Sequence, residues 1–366
     1  MNSREIVLNS IDHKTVDRVP IGYMHIIEEI SSAIEKKQQL NGYEEMLQFL
    51  GIDYRKLKIP YKKNPPEELR EEYRRRYNKD WPETDVKKPY IVAPSFGIED
   101  SGSYSGAIAK RPFEEIDSIK DIENFPWPDP MWLDYDALAC EMDLYPDKAI
   151  VAPNWSPVFG TVCEFFGMEN ALVNMILEPQ LIEATIEHIT NYYLARNKIL
   201  FEKCKGKFDI FLFGDDFATD KGLLFSLDTW KKFFKKPMEK LTNQAKSYGL
   251  KVLNHCCGVM VELIPEYIAL GIDMIEPCQF HLPGMSAKTL SREFGKDICF
   301  YGGIDTQYTL SFGTPEDVRR KVREIIDCFP NGGYTVGSDH TFMLEFPLEN
   351  ILALHDEVQK YGTRGF

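Results

Sequence analysis

The residues best suited to chemistry lie in Lys251-Val252-Leu253-Asn254-His255-Cys256-Cys257-Gly258. The first four read as a buried strand that ends in three soft side chains and a glycine. Residues two apart on an extended segment point the same way, so His255 and Cys257 face one side and Cys256 the other. An imidazole and a thiolate converging at a strand end suit Zn²⁺, which takes nitrogen and sulfur ligands. Two donors are only part of a metal site. The same residues also read as small buried cysteines beside a satisfied histidine. A second pair, Asp215-Asp216, follows the apolar run Phe208 to Gly214. Adjacent strand residues point oppositely, so one carboxylate faces a cleft, where Asp216 is a candidate catalytic group, and the other caps a helix. Asp305 and His340 also end apolar runs. Asp305 is read either as a catalytic or substrate-binding group or as a partner of the Gly302-Gly303 turn. His340 suits metal binding or acid–base work.

These groups need a scaffold that brings strand ends together. Eight apolar runs read as strands, at 18–24, 51–57, 149–155, 208–216, 251–254, 273–279, 298–305 and 334–340, and most are followed by a helical pattern. That alternation predicts an α/β fold, a (β/α)₈ TIM barrel, whose sites are built at the C-terminal ends of the strands. The polar residues fall at such ends: His25, Asp53, Asn154, Asp216, His255, Cys257, Gln279, Asp305, and Ser338 to His340. Of these, His25, Asp53, Asn154 and Gln279 are candidate substrate-binding residues, with Trp155 beside Asn154. Gly303 joins them because a glycine at a strand end lets a ligand approach the backbone. A doubly wound sheet gives a similar alternation, but no glycine-rich phosphate fingerprint follows the first strand. Residues 61–130 interrupt the alternation after the second strand. This stretch is rich in charge, proline and aromatics, and reads as an irregular excursion, with irregular strands at 61–110, inside a single barrel domain spanning residues 1–366. Within it, Arg74-Arg75-Arg76 lies beside Glu67, Glu68, Glu71 and Glu72, the pattern of a solvated helix face.

Composition narrows the partners. A formal net charge of −14 argues against nucleic acid and against an anionic membrane surface. The 43% hydrophobic and 27% charged content is that of a globular chain able to bury a large core without disulfides. Eight irregularly spaced cysteines, no signal-peptide pattern and no membrane-length apolar run imply reduced thiols and a cytoplasmic location. Oligomeric state is open, and a homodimer is compatible with the sequence.

Several stretches carry a resemblance. These are HKTVDRVPIG, FPWPDP, FGDDFATDKGLLFSLDTWKKFFKKP, YGLKVLNHCCGVMVELIPEYIALGIDMIEPCQ, YGGIDTQYTLSFGTPEDV and GGYTVGSDHTFMLEFPLENILAL. The chain resembles the uroporphyrinogen decarboxylase superfamily, and within it the cobamide-dependent methyltransferase-like branch. True uroporphyrinogen decarboxylases carry an arginine-rich stretch after the first strand to hold the substrate's carboxylates. Here Tyr23 to Glu29 has no arginine and two acids. The methyltransferase branch implies zinc held by His-x-Cys and a distant third cysteine near the last strand. His255 and Cys257 match the first two ligands. The last strand reads VGSDH where the cysteine belongs, so Asp339 or His340 would complete the site, with Asp339 taken as the third ligand. The resemblance therefore implies a zinc-dependent methyltransferase that moves a methyl group between a small-molecule donor or acceptor and a corrinoid carried on a separate partner protein. The acids after the first strand suit a cationic methyl donor, with Tyr23, Trp155 and Tyr104 as aromatic faces. Alternatives are a decarboxylase of tetrapyrrole biosynthesis and a non-catalytic small-molecule-binding barrel.

Overall fold

The computed structural model describes residues 1–81, 111–153 and 155–363. Seven strands form one parallel sheet in chain order: β1 (Tyr54–Lys56), β2 (Ala149–Val151), β3 (Ile210–Gly214), β4 (Lys251–His255), β5 (Met274–Glu276), β6 (Cys299–Ile304) and β7 (Tyr334–Ser338). Residues 20–22 occupy the eighth place. Ile21 bridges Val336 in parallel, and the Gly22 N–H donates to the Val336 carbonyl at 2.8 Å. On the other side the Asp53 N–H donates to the Ile21 carbonyl at 2.9 Å. The sheet therefore closes on itself as the (β/α)₈ barrel read from the sequence.

Strand parity divides the core in two. Tyr54, Ala149, Val151, Ile210, Leu212, Leu253, Met274, Cys299 and Tyr301 point inward and fill the barrel. Val7 and Ile11 of the first helix, Ser3–Ile11, join them. That helix bonds to residues just before β2 and β7, through Arg4 N–H to Asp147 O and Gly333 N–H to Ser10 O, and so closes the bottom of the barrel. The alternate residues Ile150, Phe211, Phe213, Val252, Ile275 and Phe300 pack outward against the helices. Both faces are dry, which is why these strands read as continuous apolar runs rather than alternating ones.

Two expectations change here. Asp53 is not at a strand's C-terminal end. The strand is shorter than read from sequence and begins at Tyr54, so Asp53 sits at its N-terminal side, on the floor of the barrel. It is buried, with Arg18 donating to both its oxygens at 2.6 and 2.7 Å and the Ile21 N–H donating at 2.8 Å. Its role in the fold is to tie residues 18–21 to β1. Within 61–130, Glu67–Tyr77 forms the helix that its charge pattern implied, and Ile119–Glu123 forms a second. The part of 61–110 that the structure describes holds the first helix in place of the irregular strands expected for the stretch as a whole. Acids in the first turn and arginines in the last turn of Glu67–Tyr77 complement the helix dipole, and this outweighs the scattered aromatics. Arg74 lies 3.5 Å from Asp80 on the solvated face. Arg76 instead pairs with Glu72 one turn back, donates to the Trp127 carbonyl and lies over the Trp132 ring at 5.2 Å, so that edge of the helix packs inward. Tyr90 and Tyr104 lie outside the described residues.

Candidate functional site

The inward parity continues past the strand ends, and there it selects the site. Leu212 and Gly214 face inward, so Asp216 does too, while Asp215 turns out into the helical layer. The Asp215 carboxylate accepts from the Val158 and Gly160 N–H groups at 2.8 and 2.7 Å, capping the helix Phe159–Phe166. Burial raises its pKa to about 7 against those backbone bonds. On β4, Leu253 faces inward, and His255 and Cys257 follow, whereas Cys256 is buried in the outer core. Gly214 makes the convergence possible. A Cβ there would lie 2.2 Å from the His255 carbonyl oxygen, so any side chain would force β3 away from β4.

The result is a triangle of donors at the mouth. His255 Nε2 lies 3.5 Å from Cys257 Sγ and 3.4 Å from Asp216 Oδ1, and all three donor atoms are within 4.8 Å of one another. The Cys257 N–H donates to Asp216 Oδ1 at 2.9 Å and fixes the carboxylate. Tetrahedral zinc, with N, O and S ligands at about 2.0–2.3 Å, sets its ligand atoms about 3.3–3.6 Å apart. The measured separations and donor chemistry fit that ion. Behind the triangle, His255 Nδ1 faces Glu276 Oε1 at 3.7 Å, and Glu276 accepts from Lys56 Nζ at 2.8 and 3.0 Å. The Lys56 and Glu276 side chains are only 5% and 2% exposed, and the lysine also lies over the Tyr301 ring at 5.1 Å. A carboxylate behind a metal-binding imidazole orients the ring and raises its basicity. The Trp155 ring meets the His255 ring edge-on at 4.7 Å.

Charge follows this geometry. Burial works against ionising Asp216, but His255 and the Cys257 N–H hold its carboxylate well below the usual range. Burial also opposes charge on His255, yet Cys257, Asp216 and Glu276 together hold its pKa well above that of a free imidazole. Burial pushes the Cys257 thiol up, with His255 opposing.

The other expected residues distribute as follows. Asp339 does not join His255 and Cys257. It ends β7 on another side of the mouth, where Oδ1 accepts from the Thr306 N–H and hydroxyl at 2.9 and 2.7 Å. Asp216 takes the third position assigned to Asp339 from the sequence. Asp305 accepts from the N–H groups of Gln307, Tyr308 and Thr309, a local cap instead of a bond to the Gly302-Gly303 turn. His340 is half-buried within electrostatic range of His255 and Asp216, and burial lowers its pKa. His25 is lowered to about 3 by burial and by Lys56 and Lys58, which puts it at the mouth near the buried lysine. Gln279 turns to the protein, accepting from the Gly258 N–H at 2.7 Å, and so braces the turn after Cys257. A Cβ on Gly303 would run into the Phe280 ring at 2.5 Å, so the glycine there admits a neighbouring side chain. Tyr23 is buried, and its backbone is clasped by the Tyr301 hydroxyl, which removes it as an aromatic face for a ligand. Asn154 lies outside the described residues. Lys56, Glu276 and His281 were missed in the sequence. Parity was the signal for the first two, since each lies two residues after an inward-facing one, Tyr54 and Met274.

Comparison with known proteins agrees with this architecture. The sequence model of the uroporphyrinogen decarboxylase (URO-D) family matches residues 110–361. The methylated-thiol–coenzyme M methyltransferase of Methanosarcina mazei is 26% identical over 203 residues, 56% of this chain and 51% of that protein. The chain thus spans about half the length of the curated relative it matches. A solved structure, a methyltransferase from Methanosarcina mazei, superposes over 99% of both chains with a TM-score of 0.66 at 15% identity, a likeness of fold. Among the described residues no helix is long and apolar enough to cross a membrane.

Proposed function

The chain belongs to the uroporphyrinogen decarboxylase family, and from that premise we propose that it is a zinc-dependent methyltransferase working between a small methylated molecule and a corrinoid on a partner protein. The observation that carries the reading is the Asp216–His255–Cys257 triangle, whose donor spacing suits zinc. Asp216, His255 and Cys257 would hold the metal, with the aspartate replacing the cysteine that the methyltransferase-like branch takes from its last strand. When bound, zinc supplies Lewis acidity toward the heteroatom that carries or receives the methyl group, and the corrinoid cobalt gives or takes that group. The chain's own residues orient and enclose. Glu276, held by Lys56, fixes the His255 ring, and Gln279 fixes the turn that carries Cys257. Trp155 covers one edge of the imidazole and limits water there. His340, at the same mouth, would do acid–base work on the substrate heteroatom, a role its imidazole suits. The relative's name supports a methylated thiol as donor class.

The test is metal content followed by methyl transfer. Purified protein should carry zinc that Cys257→Ala and Asp216→Ala each reduce at least tenfold in affinity. With a methylated thiol and cob(I)alamin, a methylcobalamin spectrum should appear with the wild type and not with Cys257→Ala. Protein that binds no zinc while folded, or decarboxylates uroporphyrinogen instead, overturns the reading.

A further inference from the structure

We propose a second divalent-cation site, formed by His281, Asp305 and Asp339, on the opposite run of strand ends from the Asp216–His255–Cys257 triangle. The strand register builds it. Ile304 of β6 pairs with Ser338 of β7, so Asp305 and Asp339, the next residues, leave the sheet side by side. Gly303, which admits the Phe280 ring, lets the following residue His281 reach over them. The donor atoms of the three residues lie within 4.8 Å of one another.

Three features point to a ligand rather than to simple packing. Asp339 is wholly buried, and while its Oδ1 is satisfied by Thr306, its Oδ2 has no hydrogen bond. Both ring nitrogens of His281 are buried atoms without a hydrogen bond, although the side chain as a whole is 17% exposed. Nδ1 stands 3.1 Å from Asp339 Oδ2, an ion-pair contact without good hydrogen-bond alignment, and 3.6 Å from Asp305 Oδ1, beyond hydrogen-bond reach. Donors that crowd together without pointing at one another are arranged as ligands around a shared centre are. Two buried carboxylates side by side also favour a cation between them, a position that a protonated His281 or a metal ion held by a neutral His281 can fill. Asp305 is fixed by the N–H groups of residues 307–309, two of which bond the same Oδ1 that faces His281 at 3.6 Å. One imidazole with two carboxylates suits a first-row divalent ion such as Mn²⁺ or Zn²⁺ and differs from the thiolate-containing triangle, which selects zinc more sharply. The site stands independently of the methyltransferase reading.

The experiment is metal uptake by the full chain after chelator stripping, titrated with Mn²⁺ and separately with Zn²⁺ and read by plasma mass spectrometry after desalting. Wild type should retain two equivalents of zinc. Cys257→Ala should retain one, His281→Ala one, and the double variant none. Manganese should bind at one equivalent and be lost in His281→Ala but kept in Cys257→Ala. Asp339→Asn keeps the Thr306 bonds and serves where His281→Ala lowers yield, with the same loss expected. A wild type that retains a single zinc, lost in Cys257→Ala, together with no manganese uptake, overturns the second site and leaves the first standing. Two equivalents that survive in His281→Ala overturn it as well and reduce the His281–Asp339 contact to an ion pair.

Discussion

Replacing Lys56 with methionine should destabilise the barrel by several kilocalories and leave its packing in place. Methionine keeps an unbranched stem and removes the ammonium group, which both bonds Glu276 and lies over the Tyr301 ring. Glu276, almost fully buried, would then lose the partner bonded at 2.8 and 3.0 Å and face only His255 at 3.7 Å. Breaking one side of a buried ion pair costs about 3–5 kcal/mol, because a desolvated charge is left uncompensated. A chain of 366 residues has an unfolding entropy of roughly 0.8 kcal/mol/K, at about 2.1 cal/mol/K per residue, so the melting temperature should fall by about 4–6 °C. The assay is scanning calorimetry at pH 7 with chelator present, so that metal binding adds nothing to the folded state. Adding Glu276→Gln removes the orphaned charge and should recover at least about half of the loss, as expected for two coupled neighbours. The reasoning fails if Lys56→Met melts within about 1 °C of wild type, or if the double variant melts below the single one.

Two further outcomes concern the scaffold. Asp53→Asn should lower stability by about 3 kcal/mol through loss of the bidentate Arg18 pair, and zinc content per folded chain should stay at the wild-type level. A loss of metal without loss of stability would return Asp53 to the cleft. His355 is buried, with the Leu50 backbone in reach but neither ring nitrogen in a well-aligned hydrogen bond, and burial, opposed by Leu50, lowers its pKa to about 4. The unfolded chain takes up that proton near pH 6.5, so this part of the stability is full above pH 6.5 and is lost as pH falls toward 4. The loss amounts to about 3 kcal/mol. Urea midpoints at pH 7.5 and 4.5 should therefore differ less in His355→Leu than in wild type, and equal differences would contradict the assignment.

The barrel was legible because both faces of its strands are dry. Continuous apolar runs such as Phe208 to Gly214 and Ile298 to Ile304 stand out between helical patterns, and counting them gave the ring. Parity was legible too, and it put His255 and Cys257 on one face and Cys256 on the other. What escaped was distance between strands. Nothing local to Asp216 or Asp339 says which of them meets His255. That depends on β3 and β4 being neighbours in close contact across Gly214, while β7 lies further around the ring. Asp53 was misplaced for a different reason: one turn of chain decides whether a residue precedes or follows a short strand, and the apolar pattern around Ile52 and Leu57 extends beyond the three residues that pair. Lys56 and Glu276 were hidden by residue type, since a lysine and a glutamate in a run read as surface until each is seen to neutralise the other.

The joint between residues 20–22 and β7 sets the order in which the molecule can be completed. Ile21 emerges from the ribosome more than 300 residues before its partner Val336. Until then the first stave is held on its β1 side by Asp53 and Arg18 and at Tyr23 by the Tyr301 hydroxyl, and the growing sheet keeps one side unpaired. Ring closure thus joins the most sequence-distant staves of the wall, the kind of contact that is slow to form. Asp339 and His340 follow directly on β7, so the mouth acquires its final residues in the same step that seals the wall.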